Sequence, residues 1–217
     1  MQYFTVNTVA EWICFLTALV CLRRDKDPVW RRFPFYLLLV CLVETGGIYL
    51  RAVLRAPNAP LYNLYMVAEC FAITTFLYHL IKPYGISKWV PIAWGAVFLA
   101  AWLTESFSHQ FGYYSPLTAA LMAMVMVTGC LYYFYLVLRD DKYVRLSTHP
   151  PFWWVSGTLM FYFGGIATYI FFQYLLEASS GEGIRFSLRY VIFKVLNVLL
   201  YGSWTYAFIC RYRQTKY

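Results

Sequence analysis

Charge is scarce in this sequence: Asp, Glu, Lys and Arg together make up only 13% of its 217 residues. A soluble domain carries roughly a quarter charged residues, because its surface must meet water. That shortage, with 61% hydrophobic residues and a mean hydropathy of +0.54, excludes an ordinary water-soluble globule and makes the bilayer the expected solvent. Other absences narrow the chemistry. No Cys-x-x-Cys pair occurs, and the six cysteines all sit in apolar stretches, so neither a disulfide framework nor a thiolate metal site is expected. The three histidines, His79, His109 and His149, form no His-x-x-x-His or His-Glu-x-x-His motif. No cofactor or metal is expected, and no enzyme activity. The first apolar stretch lacks a preceding basic region and carries Glu11, so no cleavable signal peptide is expected.

A membrane-spanning helix needs ~20 mostly apolar residues, since each backbone polar group must be bonded internally where water is absent. Seven segments meet this requirement, running from Tyr3 to Leu22, Phe33 to Leu50, Leu61 to Ile81, Trp89 to Thr104, Tyr114 to Leu138, Phe152 to Leu176 and Ser187 to Cys210. The expected fold is therefore all-α, a polytopic bundle of seven transmembrane helices forming one domain over residues 1–217. The connections are short, so no soluble catalytic or DNA-binding domain fits. The nine prolines are expected in loops or first helical turns, where a missing N–H costs little. Trp30, Trp89, Tyr113, Tyr114, Trp153 and Trp154 gather near the same ends, as interfacial belts do.

The formal net charge of +8 would suit nucleic acid in a soluble protein, but here its placement speaks of topology. Thirteen Lys and Arg residues fall in the connections and tail on one side, among them Arg23, Arg24, Arg31, Arg32, Arg139, Arg211 and Arg213. Only Arg51, Arg55, Arg185 and Arg189 fall on the other. By the positive-inside rule the N-terminus is outside and the C-terminus cytoplasmic, in a bacterial inner (plasma) membrane. The bilayer is the expected partner, with the basic face suited to anionic lipid. Nucleic acid is not.

Four ionisable groups fall inside spans: Glu11, Glu44, Glu69 and Lys194. At 1.5 Å per residue all four lie roughly 10 to 12 Å below the outer surface, so they can share one layer. Such groups are costly in hydrocarbon and usually mark a binding site, a proton relay or an interhelical pair. Tyr62, Tyr65 and Glu69 follow i, i+3, i+7 spacing on the third segment, and Lys194, Asn197 and Tyr201 do so on the seventh, so each set forms a polar stripe. Asn63, Glu105 and Gln173 sit nearer the outer rim. The expected site is an outward-facing pocket of Glu11, Glu44, Tyr62, Asn63, Tyr65, Glu69, Lys194, Asn197 and Tyr201, with Lys194 as cation and the glutamates as counter-ions or proton carriers. The competing reading is a buried Lys–Glu pair that fixes packing.

Small residues form a second set: Gly46 and Gly47 on the second segment, and Gly157, Gly164, Gly165 and Thr168 on the sixth. Gly164 and Thr168 permit close helix contact, and the Gly-Gly-Ile common to both segments hints at an internal repeat.

The topology and the last-helix lysine are similar to those of microbial rhodopsins, but Tyr190 stands where their aspartate would, four residues before the lysine. Sugar transporters of the SWEET type share the helix count, yet this chain lacks their prolines within helices and their Pro-Gln motif. Zinc hydrolases with seven helices need buried histidines and an aspartate that are missing here. The stretch Tyr62, Asn63, Leu64, Tyr65 and Glu69 resembles small seven-helix inner-membrane proteins of bacteria, a family to which no activity is assigned. Function is then expected to be that of a receptor or sensor module acting through a cytoplasmic or membrane signalling partner. A small-solute or proton-coupled transporter and a structural assembly subunit are the alternatives.

Overall fold

The computed structural model describes residues 5–108, 113–140, 145–170 and 188–216, with side chains described to Thr168 in the third stretch and from Val191 in the last. Among them are seven α-helices, two short 3-10 turns and no strand. The helices are α1 (Val6–Leu22), α2 (Pro28–Ala52), α3 (Ala59–Ile81), α4 (Trp89–Ser108), α5 (Pro116–Arg139), α6 (Pro150–Ile170) and α7 (Leu188–Lys216). Five of these, α2, α3, α4, α5 and α7, are long and apolar enough to cross a membrane, and α1 is a shorter apolar helix of 17 residues. That composition and length suit a membrane protein.

Local chemistry sets the helix starts. Thr5 and Thr8 form a reciprocal capping box at α1, in which each side chain bonds the other's backbone. Asp27 caps α2 by accepting from the Val29 amide at 2.9 Å, and Pro28 occupies the first helical position. These two residues start α2 five residues before the apolar run at Phe33. Pro34, expected in a loop or first turn, consequently lies inside the helix and is buried. Its missing N–H leaves the Trp30 carbonyl without the usual helical donor. The fourth helix likewise runs on to Ser108, which places Glu105 within it. The last continues past Cys210, so Arg211, Arg213 and Lys216 are helical.

Packing neighbours around the bundle are α1 with α2, α2 with α3, α3 with α5, α5 with α6, α6 with α7, and α7 with α1. These six close a ring. Helix α4 stays outside it, against α3 and α5, and exposes Trp89, Val90, Ile92, Val97, Leu103 and Phe107. Large apolar side chains also face outward from the ring, such as Phe35 at 71%, Leu117 at 76% and Leu138 at 84% exposure. A surface of that kind suits acyl chains rather than water.

Hydrocarbon supplies little hydrophobic drive between helices, so close backbone approach and interhelical bonds matter more. At the α6–α7 seam a Cβ on Gly157 would meet the Ser203 Cβ at 2.7 Å and the Leu200 carbonyl at 3.2 Å. A Cβ on Gly164 would meet Leu196 at 2.6 Å. Glycine is required at position 157, where backbone and a Cβ stand in the way, whereas at position 164 the Leu196 side chain would have to turn aside. Thr168 instead bonds within its own helix, to the Gly165 carbonyl.

The middle of the ring is filled with aromatic rings. Phe33 and Phe76 pack at 4.7 Å between centroids, and Phe76 stacks on Trp154 at 4.2 Å. Trp154 lies parallel to Trp204, 5.5 Å away with an interplanar angle of 2°. Trp30 and Phe208 close the cluster on the basic side. The Trp204 indole N–H, which needs a partner when buried, donates to the Trp154 carbonyl at 3.1 Å and lies 3.2 Å from the Thr158 hydroxyl. This septum separates the two ends of the bundle.

Candidate functional site

At the end where α1, α3, α5 and α7 begin, a cavity of about 390 Å³ runs from Asn7 and Asn58 down to Trp204 on the septum. Glu44 and Glu69 line it from α2 and α3. Tyr62, Tyr65, Asn197 and Tyr201 line it too, so six of the nine site residues expected from the sequence share one cavity. Tyr36, Tyr114, Phe161, Tyr162, Phe193 and Trp204 complete most of an aromatic lining.

Each carboxylate is held by a tyrosine from another helix. The Tyr62 hydroxyl of α3 donates to Glu44 Oε2 of α2 at 3.1 Å. The Tyr162 hydroxyl of α6 donates to Glu69 Oε1 of α3 at 2.8 Å. Between them the hydroxyls of Tyr36 and Tyr65 lie 3.0 Å apart, so one donates to the other. The Tyr62 contact depends on Gly47, where a Cβ would stand 2.6 Å from the tyrosine hydroxyl. Glu44 and Glu69 are partly accessible because they face the cavity, whereas Tyr162 and Tyr201 are buried in its wall at 4% and 5% exposure.

The other three expected residues sit elsewhere. Glu11 is buried at 2% exposure, outside the lining but within electrostatic reach of Glu44, and its Oε2 has no partner among the described residues. Lys194 is half-buried, does not line the cavity, and makes no ion pair among the described residues. Asn63 is fully buried and braces the connection before α5: its Nδ2 donates to the Tyr113 carbonyl at 2.7 Å, and its Oδ1 accepts from the Ser115 amide at 3.1 Å. Glu105 is also structural. It accepts from the Leu117 and Thr118 amides at 3.1 and 2.7 Å and so caps α5 from α4. Gln173, His109 and the outer arginines Arg185 and Arg189 lie outside the described residues or side chains.

At the opposite, basic end is a recess of about 770 Å³, bordered by Trp30 at its floor and by His79, Tyr133, Arg139, His149 and Arg211. Asp25 is buried at 2% exposure and receives the Arg211 Nε and Nη2 groups at 2.8 and 3.0 Å. Burial opposes ionisation of Asp25. The Arg211 hydrogen bond, the Asp27 amide and the Arg211 charge outweigh it, so the carboxyl is held below its ordinary range. Asp27, besides capping α2, takes the His79 Nε2 at 2.7 Å. His149 lies 3.3 Å from the Tyr133 hydroxyl, and burial pushes its imidazole below the ordinary histidine value.

This network was not visible in the sequence, because Asp25 and Arg211 are separated by 186 positions. The one available signal was Asp25 and Asp27 placed amid five basic residues, a spacing that also fits a solvated loop. Among the described residues no cluster of three or more His, Cys, Asp or Glu could hold a metal. No protein-family model, curated protein or solved structure matches this chain.

Proposed function

We propose that this chain is a receptor-like or sensor-like protein of the inner membrane, in which the tyrosine and carboxylate cavity binds a small ligand or a proton from outside. In this reading all seven helices span the bilayer as one domain, with the N-terminus outside and the basic end in the cytoplasm. The observation that carries it is the meeting of Glu44 and Glu69 in one cavity, on two helices, each fixed by a tyrosine from a further helix. A lone structural pair would need a cation beside a carboxylate, and neither glutamate has an ion pair among the described residues. Occupancy changes the hydrogen bonds that tie α2 to α3 and α3 to α6. The basic face can pass that change to a signalling partner, since an effector acts only through its differential interaction with two states.

The two-ended architecture favours a second reading, a carrier. Polar recesses enter from both ends, with Trp30 lining one and Trp204 the other, and the rings of Phe76 and Trp154 pack in series between those two. The buried Trp154 Nε1 has no acceptor among the described residues, which suits a septum with a second arrangement.

Asn197→Cys in intact cells tests the site and its orientation together. A neutral, membrane-impermeant thiol reagent added outside is expected to modify position 197, located by mass spectrometry, whereas the same reagent added to the medium around inverted vesicles, which expose the cytoplasmic face, is not. Modification only from the basic side overturns the orientation, and none from either side overturns the open cavity. Modification from both sides favours the carrier.

A further inference from the structure

We infer that the ligand of the tyrosine and carboxylate cavity is an organic ammonium cation, an assignment that rests on the cavity being a ligand site. Charge is the first argument. The described lining holds two carboxylates and no lysine, arginine or histidine. Arg51, whose charge reaches Tyr62, is exposed at the end of α2 and is not part of the wall. Only one oxygen of each carboxylate is taken by a described donor, Glu44 Oε2 by Tyr62 and Glu69 Oε1 by Tyr162. Among the described residues the second oxygen of each has no donor, which leaves it available to a guest.

The rest of the wall selects the kind of cation. Nine of the 17 lining residues are aromatic. Ring faces are negative and attract large, weakly hydrated cations, with tryptophan the strongest of the three. Trp204 forms the floor, held by its indole bond to the Trp154 carbonyl and stacked on the Trp154 ring. Hard metal ions require six or more oxygens in a fixed shell, which aromatic walls do not supply. A volume of about 390 Å³ is at the small end of ligand cavities and accepts a molecule of a few heavy atoms. Acids to neutralise the charge and rings to replace its hydration together define an ammonium site.

Choline and its neutral carbon isostere, 3,3-dimethylbutan-1-ol, differ in charge at nearly constant shape. With the full chain in lipid nanodiscs, isothermal titration is expected to show choline binding at least tenfold more tightly than the isostere. Glu44→Gln and Glu69→Gln are each expected to weaken choline by about tenfold and to leave the isostere unchanged. Equal binding of both compounds, or binding of the isostere alone, overturns the ammonium assignment while leaving the cavity as a ligand site. Absence of choline binding to protein that remains folded also overturns it. Failure of the neutral reagent to reach position 197 in the same nanodiscs then shows that the cavity reading has failed with it.

Discussion

Arg211→Met is expected to lower the stability of the chain by about 3 kcal/mol at neutral pH, because it strands a buried carboxylate. Asp25 is almost wholly excluded from solvent, with 1% of its side chain exposed, and two of its hydrogen bonds come from Arg211. The only other described donor is the Asp27 amide at 2.8 Å, too little to balance a full charge. Arg211 keeps 25% of its side chain exposed, so water can partly replace it, and the loss falls at the low end of that for broken buried pairs. Asp25→Asn should cost less, since Arg211 then retains solvent, Asp27 at 4.0 Å and the Trp30 ring at 5.3 Å. Thermal unfolding of the two variants in nanodiscs checks the order.

The sign of the pH dependence follows from the depressed carboxyl. Its contribution is complete above the ordinary value near 3.8 and is lost as the pH falls through the lower folded value. The parent protein therefore keeps the Asp25 contribution down to about pH 3.8, whereas in Arg211→Met burial without the guanidinium favours the protonated carboxyl, so the gap between the two should be full at neutral pH and narrow on acidification from a higher pH than that. A gap that stays constant as the pH falls through the carboxylate range would show that no stranded carboxyl causes it.

Glu11→Met is expected to act in the other direction, raising stability by roughly 1–3 kcal/mol. Glu11 is buried in α1 with one oxygen unpartnered among the described residues, so the native chain bears a desolvation cost that a thioether of similar length removes. Residues that cost stability and are not replaced by apolar ones are often tied to function. If Glu11 serves the cavity by shaping the potential at Glu44, the stabilised variant should bind the cavity's ligand differently while folding better. A fall in the unfolding midpoint would show that Glu11 is interhelical glue, which is what a structural assembly subunit requires.

These two sites mark what could and could not be read from residues in order. Helix identity was legible, since a run of ~20 apolar residues has few other uses. That Glu44 and Glu69 could meet in one cavity was legible too, because rise per residue converts position into height along a helix. Rotation about each helix axis was not legible. Lys194, Asn197 and Tyr201 share a stripe by spacing, yet only Asn197 and Tyr201 line the cavity, and Lys194 stands seven residues before Tyr201 at the edge of that arc. In so apolar a chain, hydropathy hardly distinguishes one face of a helix from another. The helix ends were missed for a different reason. Apolar runs give the hydrocarbon portion, whereas the cap Asp27 with Pro28, and the charged turn after Cys210, extend α2 and α7 into polar surroundings. Tyr36 and Tyr162 went unnoticed because, among 21 tyrosines, only their partners across the bundle set them apart.

A ligand can act on this protein as proposed only if Glu44 and Glu69 face a common, water-accessible space between α2, α3, α6 and α7. A density map of the full chain in a lipid nanodisc, at a resolution that shows ordered water, measures this directly. It should show water or a bound solute in the cavity of about 390 Å³, with the Tyr62 and Tyr162 hydroxyls on the two carboxylates and an opening at the Asn58 end. Acyl chains in that volume, or Glu44 and Glu69 turned to separate surroundings, would contradict it.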